Sequence, residues 1–113
     1  MTGPSLSTHV LDTEIGAPAA GVLVTVQQLT PAGLVPVASA ETDADGRIAE
    51  LAAGLDAGLY ELRFDAGGYL ERRGRAAPFL HAVAIQFRAS AADRHYHIPL
   101  LLAPYGATTY RGS

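Results

Sequence analysis

The stretch His95-Tyr96-His97-Ile98-Pro99-Leu100-Leu101-Leu102 constrains the fold of this chain more than any other feature. Successive side chains of a strand point to opposite faces of a sheet. Tyr96, Ile98, Leu100 and Leu102 therefore form one consistently apolar face, which belongs in a core. His95, His97, Pro99 and Leu101 point the other way. That second face is too apolar for open solvent and too polar for a core, so it suits a surface packed on another subunit or the wall of a ligand pocket.

The same parity recurs along the chain. Residues 21–29 read as a strand with Val22, Val24 and Val26 on one face and Thr25 and Gln27 on the other. Tyr60, Leu62 and Phe64 alternate with Glu61 and Arg63, and Val83, Ile85 and Phe87 alternate with Ala84, Gln86 and Arg88. Further strands are predicted over residues 7–12, 34–40, 95–102 and 108–113. Pro36 places its strand at an edge or a bulge, because proline donates nothing to the ladder. Turn signals separate these runs: Gly16-Ala17-Pro18, Thr30-Pro31-Ala32-Gly33, Asp43-Ala44-Asp45-Gly46 and Pro104-Tyr105-Gly106. Between Gly67 and Gly74 there is room for one short helix and no more. Seven or eight short strands with regular turns predict an all-β sandwich, with a small closed barrel as the alternative.

Composition narrows the functional classes. The 113 residues predict a single domain, 1–113. Hydrophobic residues make up 49% and charged ones 17%, which excludes a disordered chain and suggests that part of the apolar surface is covered by another subunit. Without Cys there is no disulfide framework, thiolate metal site or Cys nucleophile. A net charge of −3 with 8 Lys plus Arg argues against a nucleic-acid partner. No apolar run approaches the ~18–20 residues that a membrane span needs. Residues 1–8 lack the basic and apolar regions of a secretory signal, so the expected location is cytoplasmic.

Candidate chemistry sits at both ends. Val10 belongs inside, so His9 and Leu11 share the opposite face. If the outer faces lie side by side in one sheet, His9 and His97 face a common cavity. Two neutral imidazoles and an arginine suffice for hydrolysis without a metal. The tail Tyr110-Arg111-Gly112-Ser113 concentrates an aromatic hydroxyl, a guanidinium and a carboxylate, as a tail built into a site would.

Plainer readings stand beside these. A histidine on a strand is more often a surface or structural residue, and His81 fits that description. His95 and His97, with His9, have spacing compatible with zinc, but no carboxylate or fourth ligand accompanies them. Arg47 follows a turn, and Arg72-Arg73 lies on the predicted helix; both read as solvated charge. Asp43 and Asp45 serve their turn through local hydrogen bonds. There is no Gly-x-Ser-x-Gly elbow and no phosphate-cradling glycine loop.

Four blocks occur in order: His9-Val10-Leu11-Asp12 with Gly16-Ala17-Pro18-Ala19, Thr42-Asp43-Ala44-Asp45-Gly46-Arg47, His95 through Leu102, and Tyr110-Arg111-Gly112-Ser113. On these blocks the chain resembles the 5-hydroxyisourate hydrolase family, the transthyretin-like enzymes of purine catabolism. The resemblance implies a prealbumin-type eight-stranded β-sandwich with one short helix, assembled as a homotetramer, a dimer of dimers. In that assembly outer sheet faces meet around a channel, with sites at subunit interfaces; His9, Leu11, His97, Pro99, Leu101, Thr108 and Tyr110 would line it. It implies hydrolysis of the N1–C6 cyclic amide of 5-hydroxyisourate, without metal or cofactor. His9, Arg47 and His97 match the family's catalytic positions. His9, Arg47, Tyr110, Arg111, Gly112 and Ser113 match its substrate-binding positions. Ala107 departs from the family's usual aromatic residue, which implies altered packing and unaltered chemistry. The rival reading is a non-catalytic, transthyretin-like small-ligand carrier, for which two imidazoles and an arginine in the channel have little use.

Overall fold

The computed structural model describes residues 3–113; Met1 and Thr2 of the predicted domain lie outside the described residues. Two sheets stack face to face. The first is organised around β1 (Ser5–Asp12), which pairs antiparallel with β2 (Ala17–Pro18) and with β5 (Arg47–Ala52). On its other side β1 pairs parallel with β8 (His95–His97) and β9 (Leu100–Ala103), and β10 (Gly106–Thr109) closes that edge. The second sheet has the order β4-β3-β6-β7, built from β3 (Leu23–Thr30), β4 (Gly33–Glu41), β6 (Gly58–Phe64) and β7 (Val83–Ala89). One helix, α1 (Ala66–Arg72), follows β6 and is capped by Asp65, whose carboxylate accepts from the Gly68 amide at 3.1 Å.

β8 and β9 keep a single register along β1, Ser7 opposite His97 and Val10 opposite Leu100. They are one strand interrupted at Ile98-Pro99, where proline brings no N–H to the ladder. The Thr8 hydroxyl fills the gap by donating to the Ile98 carbonyl at 2.7 Å. With β8 and β9 counted together and the two-residue β2 set aside, eight strands remain, four in each sheet. This is the transthyretin-type sandwich with a single short helix that the resemblance implies.

The parity argument holds in the core. Tyr96, Ile98, Leu100 and Leu102 are buried in one cluster with Val22, Val24, Val26, Tyr60, Leu62 and Phe64. Burying each large side chain is worth about 1.5–3 kcal/mol. Pro36 meets both expectations: β4 is an edge strand, and the ladder slips there, from Val26↔Ala38 to Gln27↔Pro36.

Four local readings change. Gly16-Ala17-Pro18 is not only a turn, because Ala17 and Pro18 return as β2 against Asp12 and Leu11. Residues 95–102 are interrupted and not continuous. The last strand stops at Thr109, short of the predicted residue 113. Arg72 and Arg73 are exposed, yet they donate to the Gly21 and Ala20 carbonyls at 2.6 and 3.1 Å, fastening α1 to the loop before β3. At the end of β1, Asp12 is fully buried and accepts from the Tyr69 hydroxyl at 2.8 Å. Arg75 bridges it to Glu14, so the stretch after α1 is locked to the first sheet.

Candidate active site

The site begins in the turn before β5. The Asp43 carboxylate accepts from the backbone amides of Asp45 and Arg47 at 2.9 and 3.0 Å, and its carbonyl accepts from the Gly46 amide at 2.9 Å. Gly46 sits at φ 74°, and a Cβ there would lie 2.5 Å from the Val10 carbonyl oxygen. Only glycine permits this approach. The Val10 amide donates to the Gly46 carbonyl at 2.7 Å, which seats the next residue, Arg47, directly opposite His9. Side chains paired this way across antiparallel strands have Cβ atoms about 4.5–5.5 Å apart.

His97 reaches the same face from the other side of β1. Its register partner is Ser7, two residues before His9, so Ser7, His9 and His97 share one side of the sheet. The three side chains and Arg47 border one cavity of about 370 Å³, with Thr8, Ile48 and Ala49 completing its wall. The structure therefore brings His9, Arg47 and His97 together. His9 and His97 are half-buried, whereas Arg47 is exposed and meets no carboxylate among the described residues.

Burial first, and then the neighbouring charges of His95, His9 and Arg47, hold the His97 imidazolium below its ordinary range. Both effects favour the neutral ring, the form with a lone pair to accept a proton. Its Nδ1 is hydrogen-bonded to the Ser7 hydroxyl at 2.7 Å. The same hydroxyl lies 2.8 Å from His95 Nε2, and the Ser5 hydroxyl lies 2.6 Å from His95 Nδ1. Both His95 nitrogens are therefore engaged by serines. Among the described residues no group of three or more His, Cys, Asp or Glu is placed to hold a metal ion. Ser5 and Ser7 escaped the sequence reading, although Ser7 shares parity with His9 and was open to the same argument. His81 lies elsewhere, its carbonyl accepting from the Gly67 amide at 2.8 Å.

The tail divides between two places. Gly112 meets His97, donating its amide to the His97 carbonyl at 2.6 Å. A Cβ on Gly112 would stand 2.7 Å from His97 Cδ2, so the tail presses on the His97 ring as closely as a backbone permits. Arg111 holds that position from outside. Its guanidinium lies 4.5 Å above the Tyr96 ring, 3.8 Å from the Asp93 carboxylate, and donates to the His95 carbonyl at 3.3 Å. Tyr110 and Arg111 border a separate cavity of about 310 Å³, walled by Ile85, Phe87, Tyr96 and Ile98, and not the cavity of His9. Ser113 is exposed. Thr108 pairs with Leu101 and so shares the outer face, while Ala107 pairs with Leu102 and is exposed.

The contact at Gly112 yields a direct test. Gly112→Ala overpacks the tail against His97, at a local cost of about 1–3 kcal/mol. The expected result is displaced His97 ring resonances and faster carboxypeptidase trimming of the tail, with the melting temperature of the domain retained.

Residues 6–112 match the HIUase/Transthyretin family. A 5-hydroxyisourate hydrolase of Mesorhizobium japonicum is 47% identical, with 98% of this chain and 94% of the relative covered. The solved structure of Klebsiella pneumoniae 5-hydroxyisourate hydrolase superimposes with a TM-score of 0.86 at 40% identity, covering 97% of this chain and 99% of that one. Sea bream transthyretin in complex with thyroxine superimposes with a TM-score of 0.88 at 34% identity, covering 96% and 94%.

Proposed function

The chain belongs to the HIUase/Transthyretin family, and from that membership we propose that it is a 5-hydroxyisourate hydrolase that opens the cyclic amide between N1 and C6. The product is 2-oxo-4-hydroxy-4-carboxy-5-ureidoimidazoline, in urate catabolism. The observation that supports this most is the gathering of His9, Arg47 and His97 around one cavity. A carrier of apolar ligands gains nothing from that set; a hydrolase uses every member.

One imidazole takes a proton from water as the oxygen attacks C6, and a proton is delivered to N1 as the C6–N1 bond breaks. Arg47 offers a fork of N–H donors to the oxygen on C6 as it becomes negative, and it needs no rearrangement at that moment. His9 stands directly opposite Arg47 and holds the water or the ring nitrogen from β1. The tail closes the site by carrying Gly112 to His97, with Arg111 as its anchor and Ser113 beside the substrate. Tyr110 lies away from this cavity within one chain, so its contact with substrate requires a second subunit.

The proposal includes a single domain acting as a homotetramer, a dimer of dimers, with neither metal nor cofactor. Support comes from the outer face of the first sheet, where His9, Leu11, His97 and Leu101 are only half-buried in the isolated chain. A facing sheet would cover them and enclose the site. A cytoplasmic setting accords with a chain that has no Cys to oxidise. Among the described residues no helix is long and apolar enough to cross a membrane.

The experiment is ultraviolet decay of freshly generated 5-hydroxyisourate in the presence of chelator. Decay faster than in buffer is expected. Unchanged decay removes the hydrolase reading and leaves ligand binding, as in the thyroxine-bound relative. A rate abolished by chelator alone restores the zinc reading of the histidines.

A further inference from the structure

Ser5, His95, Ser7 and His97 form an unbroken hydrogen-bonded row on the outer face of the first sheet. The links are Ser5 Oγ to His95 Nδ1 at 2.6 Å, His95 Nε2 to Ser7 Oγ at 2.8 Å, and Ser7 Oγ to His97 Nδ1 at 2.7 Å. The parallel register creates it: Ser5 pairs with His95 and Ser7 with His97, so two hydroxyls and two imidazoles interleave at matching spacing. One end is at the surface, where His95 is exposed; the other is His97 at the cavity wall.

A hydroxyl has one proton to donate and lone pairs to accept, and a neutral imidazole has one N–H and one lone pair. The row therefore has two self-consistent proton orders. In the first, His97 Nδ1–H donates to Ser7, the Ser7 hydroxyl donates to His95 Nε2, and His95 Nδ1–H donates to Ser5. His97 Nε2 is then a bare lone pair. In the second, Ser5 donates to His95 Nδ1, His95 Nε2–H donates to Ser7, and Ser7 donates to His97 Nδ1. His97 then carries its proton on Nε2.

We propose that Ser7 and His95 are positioning residues that switch His97 between base and acid within one hydrolytic cycle, by passing a proton along this row. The inference deepens the hydrolase reading and rests on it. In the first order His97 Nε2 takes the proton of the attacking water. Its Nδ1 proton moves to Ser7, the Ser7 proton to His95 Nε2, the His95 Nδ1 proton to Ser5, and the Ser5 proton to solvent. The row is then in its second order, and His97 is neutral with Nε2–H. When the C6–N1 bond breaks, Nε2–H passes to N1, and the row runs backward, drawing one proton in from solvent. One proton has moved from water to N1, and the exchange with solvent sums to zero. His97 never rests as an imidazolium, the form that its burial and then its charged neighbours disfavour.

The test compares Ser7→Ala, Ser7→Thr and His95→Gln with the unmodified protein, by kinetics and by 15N NMR of the His97 ring. Proton relay contributes to acid–base catalysis on the scale of about 100-fold. Ser7→Ala is expected to lower kcat by about that factor with KM within twofold, to straighten a curved proton inventory in mixed H2O and D2O, and to move the His97 nitrogens from averaged to single-tautomer shifts. His95→Gln is expected to lower kcat similarly while the fold is kept. Ser7→Thr, which retains the hydroxyl, is expected to restore at least half the rate. Unchanged His97 nitrogen shifts in Ser7→Ala, or kcat within twofold of the unmodified protein, overturn the proposal. An unmodified protein inert toward 5-hydroxyisourate overturns the hydrolase reading instead; the NMR comparison then decides by itself whether Ser7 sets the His97 tautomer.

Discussion

Replacing His9, Arg47 or His97 by Ala is expected to lower kcat/KM for 5-hydroxyisourate at least about 100-fold, the ordinary scale for acid–base and oxyanion groups. The three belong to one cavity, so their effects should be far from additive: with one gone, removing a second costs little more. Arg47 is exposed and unpaired with any carboxylate among the described residues, so its loss should leave the melting temperature nearly unchanged. The pH profile adds a signed expectation. His97 must be neutral to accept a proton, and burial and then the charges of His95, His9 and Arg47 depress its ionisation. The acid limb of the rate therefore lies below the usual imidazole value of about 6.5. Arg47→Ala removes one of those charges and should shift the limb toward higher pH. A limb that stays put, in residual activity measured at high enzyme concentration, would show that Arg47 does not face His97.

Asp12→Ala is expected to destabilise the fold by about 3–5 kcal/mol, because it leaves Arg75 charged, partly buried and half-paired. Asp12 is fully buried, and its carboxylate accepts from Tyr69, Arg75 and the Glu14 amide. Burial by itself raises the Asp12 pKa. The hydrogen bonds from Arg75 and Tyr69, followed by the Arg75 charge, outweigh it and leave the group below its model-peptide value. A carboxylate depressed in the folded state contributes stability that is fully present above its unfolded pKa, about 3.9, and is lost as pH falls through the folded value. Denaturant melts between neutral pH and about pH 2 should show this loss in the unmodified protein and a flatter profile in Asp12→Ala. Arg75→Ala in a double-mutant cycle isolates the pair, and a coupling near zero would mean that Tyr69 and the backbone amides suffice.

How far the sequence discloses this molecule depends on the range of each signal. Strands with clean two-residue alternation, such as those carrying Val24, Tyr60 and Tyr96, are legible because burial on one face leaves its mark residue by residue. β5 is not legible. Its ladder with β1 slips between Leu6 and Thr8, so Ile48 and Leu51, three apart, both turn inward and the period is broken. The ion cluster of Asp12, Glu14 and Arg75 spans more than sixty residues and leaves no local pattern. At the site, parity predicts that His9 and His97 each face outward. Only the resemblance adds Arg47, since a lone arginine after a turn carries no periodic signal. The meeting of the three depends on strand order, which no single segment encodes. Gly112 belongs to the same class, for its closeness to His97 is a matter of tertiary approach.

Parallel pairing of β1 with β8 and β9 joins segments about ninety residues apart through the middle of a sheet. During synthesis on a ribosome the first strand must wait for almost all of the others before its parallel neighbour exists, and such long-range closure makes for slow folding. Nascent chains halted before residue 95 would keep Arg47 opposite His9 but leave the other side of β1 open, with no His97 beside Ser7. If His97 acts as proposed, activity would first appear once the strand that carries it has been made, and would report when the centre of the sheet closes.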